Sequence, residues 1–139
     1  MSHLKATIEK IESVDDLNIV TFDCAGQKLQ MVSLELSEEI QPKVKVKLAC
    51  KPIAVALAKP TMDVENFSSI LSYSNQLKVQ IDSIERGKLL SSILLRLGTF
   101  SLESIMGTDA VERLSLEEGD DVIALIKANE LSILEVLND

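Results

Sequence analysis

Leu4-Lys5-Ala6-Thr7-Ile8-Glu9-Lys10-Ile11-Glu12 and Leu77-Lys78-Val79-Gln80-Ile81-Asp82-Ser83-Ile84-Glu85 share one apolar spacing at an offset of 73 residues. A second pair, Val46-Lys47-Leu48-Ala49-Cys50-Lys51-Pro52-Ile53-Ala54-Val55 and Val122-Ile123-Ala124-Leu125-Ile126-Lys127-Ala128-Asn129-Glu130-Leu131, repeats at an offset of 76. Similarity recurring at a nearly constant distance means two diverged copies of one module. The first copy spans residues 1–59 and the second 72–139. Residues 60–71 read as a linker, because Pro60 cannot donate to a strand ladder and polar residues interrupt the apolar pattern.

Within each copy the apolar period is two, as in half-buried strands. The clearest stretch is Lys43-Val44-Lys45-Val46-Lys47-Leu48, with cationic and apolar residues on opposite faces. Leu4–Ile11, Leu17–Cys24, Lys28–Val32, Leu77–Ile84 and Asp121–Lys127 follow the same rule. Leu89–Leu97 is apolar on both faces and predicts a strand covered from two sides. One short helix is expected at Asp109–Leu114 with Thr108 as its N-cap; the first copy lacks the residues for it. About five short strands per copy with tight turns predict an all-β protein with one short helix. Its two small five-stranded barrels, OB-like and in tandem, would remove aggregation-prone edges.

The chain has 139 residues, 46% of them hydrophobic, so it can bury a core, although halves of about 65 residues favour packing on each other or on another chain. The N-terminus MSHLKATIEK has no apolar signal core and no run is long enough to span a bilayer, which predicts a soluble cytoplasmic protein without membrane contact. Cys24 and Cys50 lack C-x-x-C spacing and read as small buried hydrophobes. A net charge of −8, with three Phe and one Tyr, disfavours nucleic acid, which rewards basic stripes and stacking platforms. A small anion stays compatible, because neutral donors hold it at short range.

Catalytic constellations are missing. The single histidine, His3, sits near the chain start, and no Ser-His-Asp set, Gly-rich phosphate loop or H-E-x-x-H pattern can be assembled, so an enzyme is not expected. What remains is a set of polar donors where strands begin and end: Ser72-Tyr73-Ser74-Asn75-Gln76 before a strand and Lys127-Ala128-Asn129 after one. Hydroxyls and main-chain N–H groups at such places converge on oxyanions, and a lysine adds a charge-assisted bond. The same residues also serve as ordinary turn formers and solvated strand ends.

At these residues the second copy resembles the molbindins, the Mop-type module also called the TOBE domain. That family opens with S-A-R-N-Q-L, continues through I-E-x-G, then I-T-x-E-S, a short helix, L-x-x-G and V-x-x-L-I-K-A. Here the matching stretches are Ser72-Tyr73-Ser74-Asn75-Gln76-Leu77, Ile84-Glu85-Arg86-Gly87, Phe100-Ser101-Leu102-Glu103-Ser104, Leu116-Glu117-Glu118-Gly119 and Val122-Ile123-Ala124-Leu125-Ile126-Lys127-Ala128. The first copy is similar to a helix-less variant ending K-P-x-x-V-x-L, here Lys51-Pro52-Ile53-Ala54-Val55-Ala56-Leu57.

The resemblance implies five-stranded OB-like barrels that bind molybdate, and often tungstate, between subunits, with tandem members assembling as trimers. It implies an oxyanion site at Ser72, Ser74, Asn75, Gln76, Lys127 and Ala128, and a second near Gly87 and Lys88. Ser2, Lys51 and Pro52 are the first-copy counterparts. The ligand is the oxyanion itself, with no organic cofactor and no side chain ligating the metal directly. Ser74 stands where the family commonly has Arg, and the first copy begins at Ser2, so fewer sites than in a full tandem relative are expected. The implied function is intracellular storage, buffering or homeostasis of molybdate. The alternative is a regulatory TOBE module that docks on a molybdate transporter ATPase or a transcriptional regulator and keeps vestigial sites.

Overall fold

A computed structural model describes residues 2–60 and 64–137. The first half contributes strands β1 (Ser2–Val14), β2 (Leu17–Cys24), β3 (Gln27–Ser33), β4 (Lys45–Cys50) and β5 (Ala56–Ala58). The second contributes β6 (Asn75–Arg86), β7 (Leu90–Leu97), β8 (Phe100–Gly107), β9 (Asp121–Ile126) and β10 (Ser132–Leu137). Two helices accompany them: α1 (Val64–Ser69), within the stretch read as a linker, and α2 (Thr108–Arg113). No helix among the described residues is long and apolar enough to cross a membrane.

The strands form two five-stranded antiparallel sheets, curled as OB-like barrels in tandem, in the orders β10-β4-β1-β2-β3 and β5-β9-β6-β7-β8. Each sheet therefore takes its last strand from the other half of the chain. β5 crosses to pair with β9, Ala56 opposite Leu125, and β10 crosses to pair with β4, Val136 opposite Val46. The period-two stretches of the sequence include neither β5 nor β10, and periodicity cannot see which sheet a strand joins.

Alternation determines what is buried. Leu4, Ala6 and Ile8 of β1 and Leu77, Val79 and Ile81 of β6 point inward to meet Val20, Phe22, Leu48, Ile93, Leu95 and Leu102. Each fully buried Leu, Ile or Phe contributes roughly 1.5–3 kcal/mol of transfer free energy. Both long strands carry a bulge at the same place in the repeat, between Ile8 and Lys10 and between Ile81 and Ser83, which bends the strand so that one sheet can curl. The β2–β3 hairpin turns on Ala25 and Gly26, both at positive φ (50° and 81°), the handedness that matches the twist of flanking strands.

Two local expectations are corrected. Gly107, in extended conformation, precedes α2 as its N-cap, and Thr108 lies inside the helix. The Thr108 hydroxyl is drawn away from the helix end to donate to Gly87 O (2.9 Å) and to share a hydrogen bond with Ser91 Oγ (2.9 Å). Strand β7 is not covered on both faces within the chain. Ser91, Ile93, Leu95 and Leu97 are buried whereas Leu90 is 58% exposed, because the wall of a small barrel has only one inner face.

The candidate oxyanion site

Strand β6 outruns its neighbour. Its ladder with β7 starts only at Gln80 opposite Arg96, so residues 75–79 have a free edge on that side. Strand β3 of the other sheet meets this edge through side-chain amides. Gln30 N–H donates to Asn75 Oδ1 (2.6 Å) and Asn75 Nδ2 donates to Gln30 O (2.9 Å). Three residues along, Lys78 N–H donates to Gln27 Oε1 (2.8 Å) and Gln27 Nε2 donates to Lys78 O (2.9 Å). Asn75 is fully buried. Its amide completes the joint between sheets instead of facing an open site. Gln76 is also spent locally, donating to Tyr73 O (2.9 Å) and Ser68 O (3.3 Å).

The remaining residues of the motif stay open. Asn75 pairs with Ile126 as the last rung between β6 and β9, so exposed Ser74 and exposed Lys127 flank that rung, with Ser72 and half-buried Ala128 just beyond. The first half repeats the arrangement, Ser2 opposite Cys50 with exposed Lys51 and half-buried Pro52 following. Lys51 (φ −72°, ψ 137°) and Lys127 (φ −70°, ψ 147°) have nearly the same backbone, and each leads into a 3-10 turn, Pro52–Ala54 and Ala128–Glu130. Gly87 and Lys88 lie at the opposite end of β6, away from this group. The Gly87 N–H is already given to Leu90 O (2.9 Å).

Beside Ser74 the structure brings together residues that the motif does not contain. A pocket of about 580 Å³ is lined by Ser74, Gln30, Lys28, Thr21, Glu9 and Lys10. Thr21 is 7% exposed and its hydroxyl has no hydrogen-bond partner, a cost the fold carries unless something else meets it. Lys28 pairs with Glu9, and Lys10 with Glu12 at 3.5 Å. Lys28 therefore stands near Ser74, where an arginine is missing, with its charge shared with Glu9 on the same pocket wall. The sequence signal for Lys28 is only its place on β3, close in space to Ser74 yet far along the chain. Among the described residues no group of three or more His, Cys, Asp or Glu could hold a metal ion.

Curled antiparallel barrels in tandem, with hydroxyls and lysines gathered at strand ends beside an inter-sheet pocket, define a small OB-like binding module. The TOBE domain model matches residues 71–133. Molybdenum-pterin-binding protein 1 of Clostridium pasteurianum is 32% identical over 65 residues, covering 46% of this chain and 96% of that protein. Molybdenum-pterin-binding protein 2 of the same organism is 31% identical over the same shares. Among solved structures, the cytoplasmic molybdate-binding protein ModG with molybdate bound superposes with a TM-score of 0.81 and 25% identity, over 94% of this chain and 93% of that one. The chain belongs to the Mop/TOBE molbindin family.

Proposed function

We propose that this protein binds molybdate, and tungstate as a close analogue, for storage and buffering in the cytoplasm. The observation that carries the reading is the position of Ser74 and Lys127 directly beyond the terminal Asn75–Ile126 rung, with Ser74 also lining the pocket of Lys28 and the unpartnered Thr21 hydroxyl. The likeness to ModG over nearly the whole chain supports the same ligand. Ser72, Ser74 and the main chain at Ala128 offer hydrogen bonds, Lys127 and Lys28 offer charge, and no bond to the metal itself is needed. The turn at Lys88 is a second, separate site, and Lys51 with Pro52 a weaker first-half counterpart.

A net charge of −8 does not oppose this. Surface carboxylates are screened beyond about 8 Å at physiological salt, whereas donors held around a pocket act at contact distance. Net charge slows encounter more than it lowers affinity. Selectivity against sulfate follows from size, since a smaller tetrahedral anion cannot reach every donor at once. Exposed Leu89, Leu90 and Leu94 on one wall and Ile53 on the other half give the chain apolar faces for self-association, and the assembly we favour is a trimer.

Calorimetric titration tests the reading. Saturable heats with molybdate and tungstate, and none with sulfate, are expected. Silence with all three would favour a docking module with vestigial pockets instead.

A further inference from the structure

The two barrels close their seams differently. Strands β5 and β8 are the edges of the second sheet, and the buried Ser104 hydroxyl of β8 closes the seam by donating to the O of Val55, the residue just before β5, at 2.6 Å. Through the offsets of the repeat, the first sheet has Met31 where the second has Ser104, and Leu131 where it has Val55. Methionine has no proton to donate, and a groove of about 530 Å³ lies along the corresponding seam between β3 and β10.

The groove has three kinds of lining. Its apolar residues include Leu36, Ile40, Ile133 and Val136, all only partly buried, whereas the loop that holds α2 in the other half inserts Val111 and Leu116 completely. Its charged residues are Glu35, Glu39 and Glu135, with no Lys or Arg among the lining; Glu135 alone is paired, to Lys47 at 3.1 Å. Its wall is the edge of β3. Gln30 directs its N–H and C=O outward to Asn75, so the period of two directs those of Val32, a groove residue, to the same side.

We propose that this groove takes an extended segment of a partner protein in which apolar and basic residues alternate, laid along the end of β3 beyond Gln30, where the main chain of Val32 faces the groove. A strand addition draws its affinity from main-chain hydrogen bonds and its specificity from pockets for alternate side chains. Here the apolar side chains meet Leu36 and Ile133 while the basic ones meet Glu35 and Glu39. A second copy does not provide such a segment, because the alternating Lys-Val stretch of this chain already runs into β4, an interior strand paired on both sides.

The test titrates the full chain with an acetylated, amidated hexapeptide of alternating Lys and Val, followed by calorimetry and amide chemical shifts. Saturable binding is expected, with shifts concentrated at residues 31–40 and 131–136. Glu35→Lys with Glu39→Lys is expected to weaken it by at least about tenfold. Glu112→Lys with Glu118→Lys, an equal change of net charge on the other half, is expected to leave it unchanged. A peptide N-methylated at alternate positions needs no protein variant and is expected not to bind. Absence of binding, equal binding by the methylated peptide, equal loss in both charge-reversed proteins, or a drop in oligomeric mass caused by the Glu35/Glu39 reversal would each overturn the proposal.

Discussion

The side-chain amide of Asn75 does the work of a neighbouring strand for Gln30, accepting from its N–H at 2.6 Å and donating to its C=O at 2.9 Å. The same exchange runs the other way between Gln27 and Lys78, so the two sheets are joined by four hydrogen bonds in which side chains imitate a β-ladder.

Replacing Asn75 by Ala strands the half-buried N–H and C=O of Gln30, at up to about 1–3 kcal/mol each. Asn75→Asp keeps an acceptor for Gln30 N–H but sets a carboxylate oxygen against Gln30 O. Urea denaturation should give losses of similar size for both variants. Gln27→Ala, at the more exposed end of the joint, should lose less.

In the β6–β7 turn, a Cβ on Gly87 would lie 2.4 Å from Leu90 O, and the offending atom belongs to backbone that cannot step aside. Gly87→Ala should cost about 1–3 kcal/mol. Gly26→Ala meets nothing within 4 Å and suffers only from its φ of +81°, at about 1 kcal/mol. Thermal melts of the pair should rank Gly87→Ala as the more damaging.

Burial pushes the Cys24 thiol up to about 11, with Asp23 adding to the effect, and burial alone does the same for Cys50. The folded state therefore retains protons that the unfolded thiols release near 9.0, so stability is at its full value below that pH. It should fall as pH climbs from about 9 to about 11 and level off above. Denaturant midpoints across that window should show the decline, and Cys24→Ala with Cys50→Ala should flatten it. At pH 8 both thiols should resist iodoacetamide until denaturant is added.

For ligand binding, Lys127→Ala and Lys28→Met should each weaken molybdate by about ten- to a hundredfold, the range of a charge-assisted hydrogen bond. Lys51→Ala should cost less. Equal losses at Lys51 and Lys127, read by calorimetry, would mean that the two halves contribute alike.

Strand exchange makes the halves interdependent. Residues 1–59 and 72–139 produced separately should each be poorly ordered alone, because each keeps a strand that belongs to the other sheet. Mixed, they should recover a dispersed amide spectrum as a one-to-one complex.

The core strands, the repeat and the short helix are legible along the chain because each is set by neighbours a few residues away. Alternation from Leu4 to Ile11 buries one face whatever the strand pairs with, and the pairing of Leu17–Cys24 with the hairpin after it needs only a two-residue turn. The strand-end placement of Ser74 and Lys127 is legible for the same reason. What could not be read is what long-range geometry decides. Asn75 belongs to the opening motif, yet its partner Gln30 lies 45 residues away, and only the free edge of β6 explains why its amide turns inward. Lys28 and Thr21 reach Ser74 through the same joint. The destinations of β5 and β10 rest on which edge is open once both sheets have curled, a property of the assembled pair that no local pattern encodes.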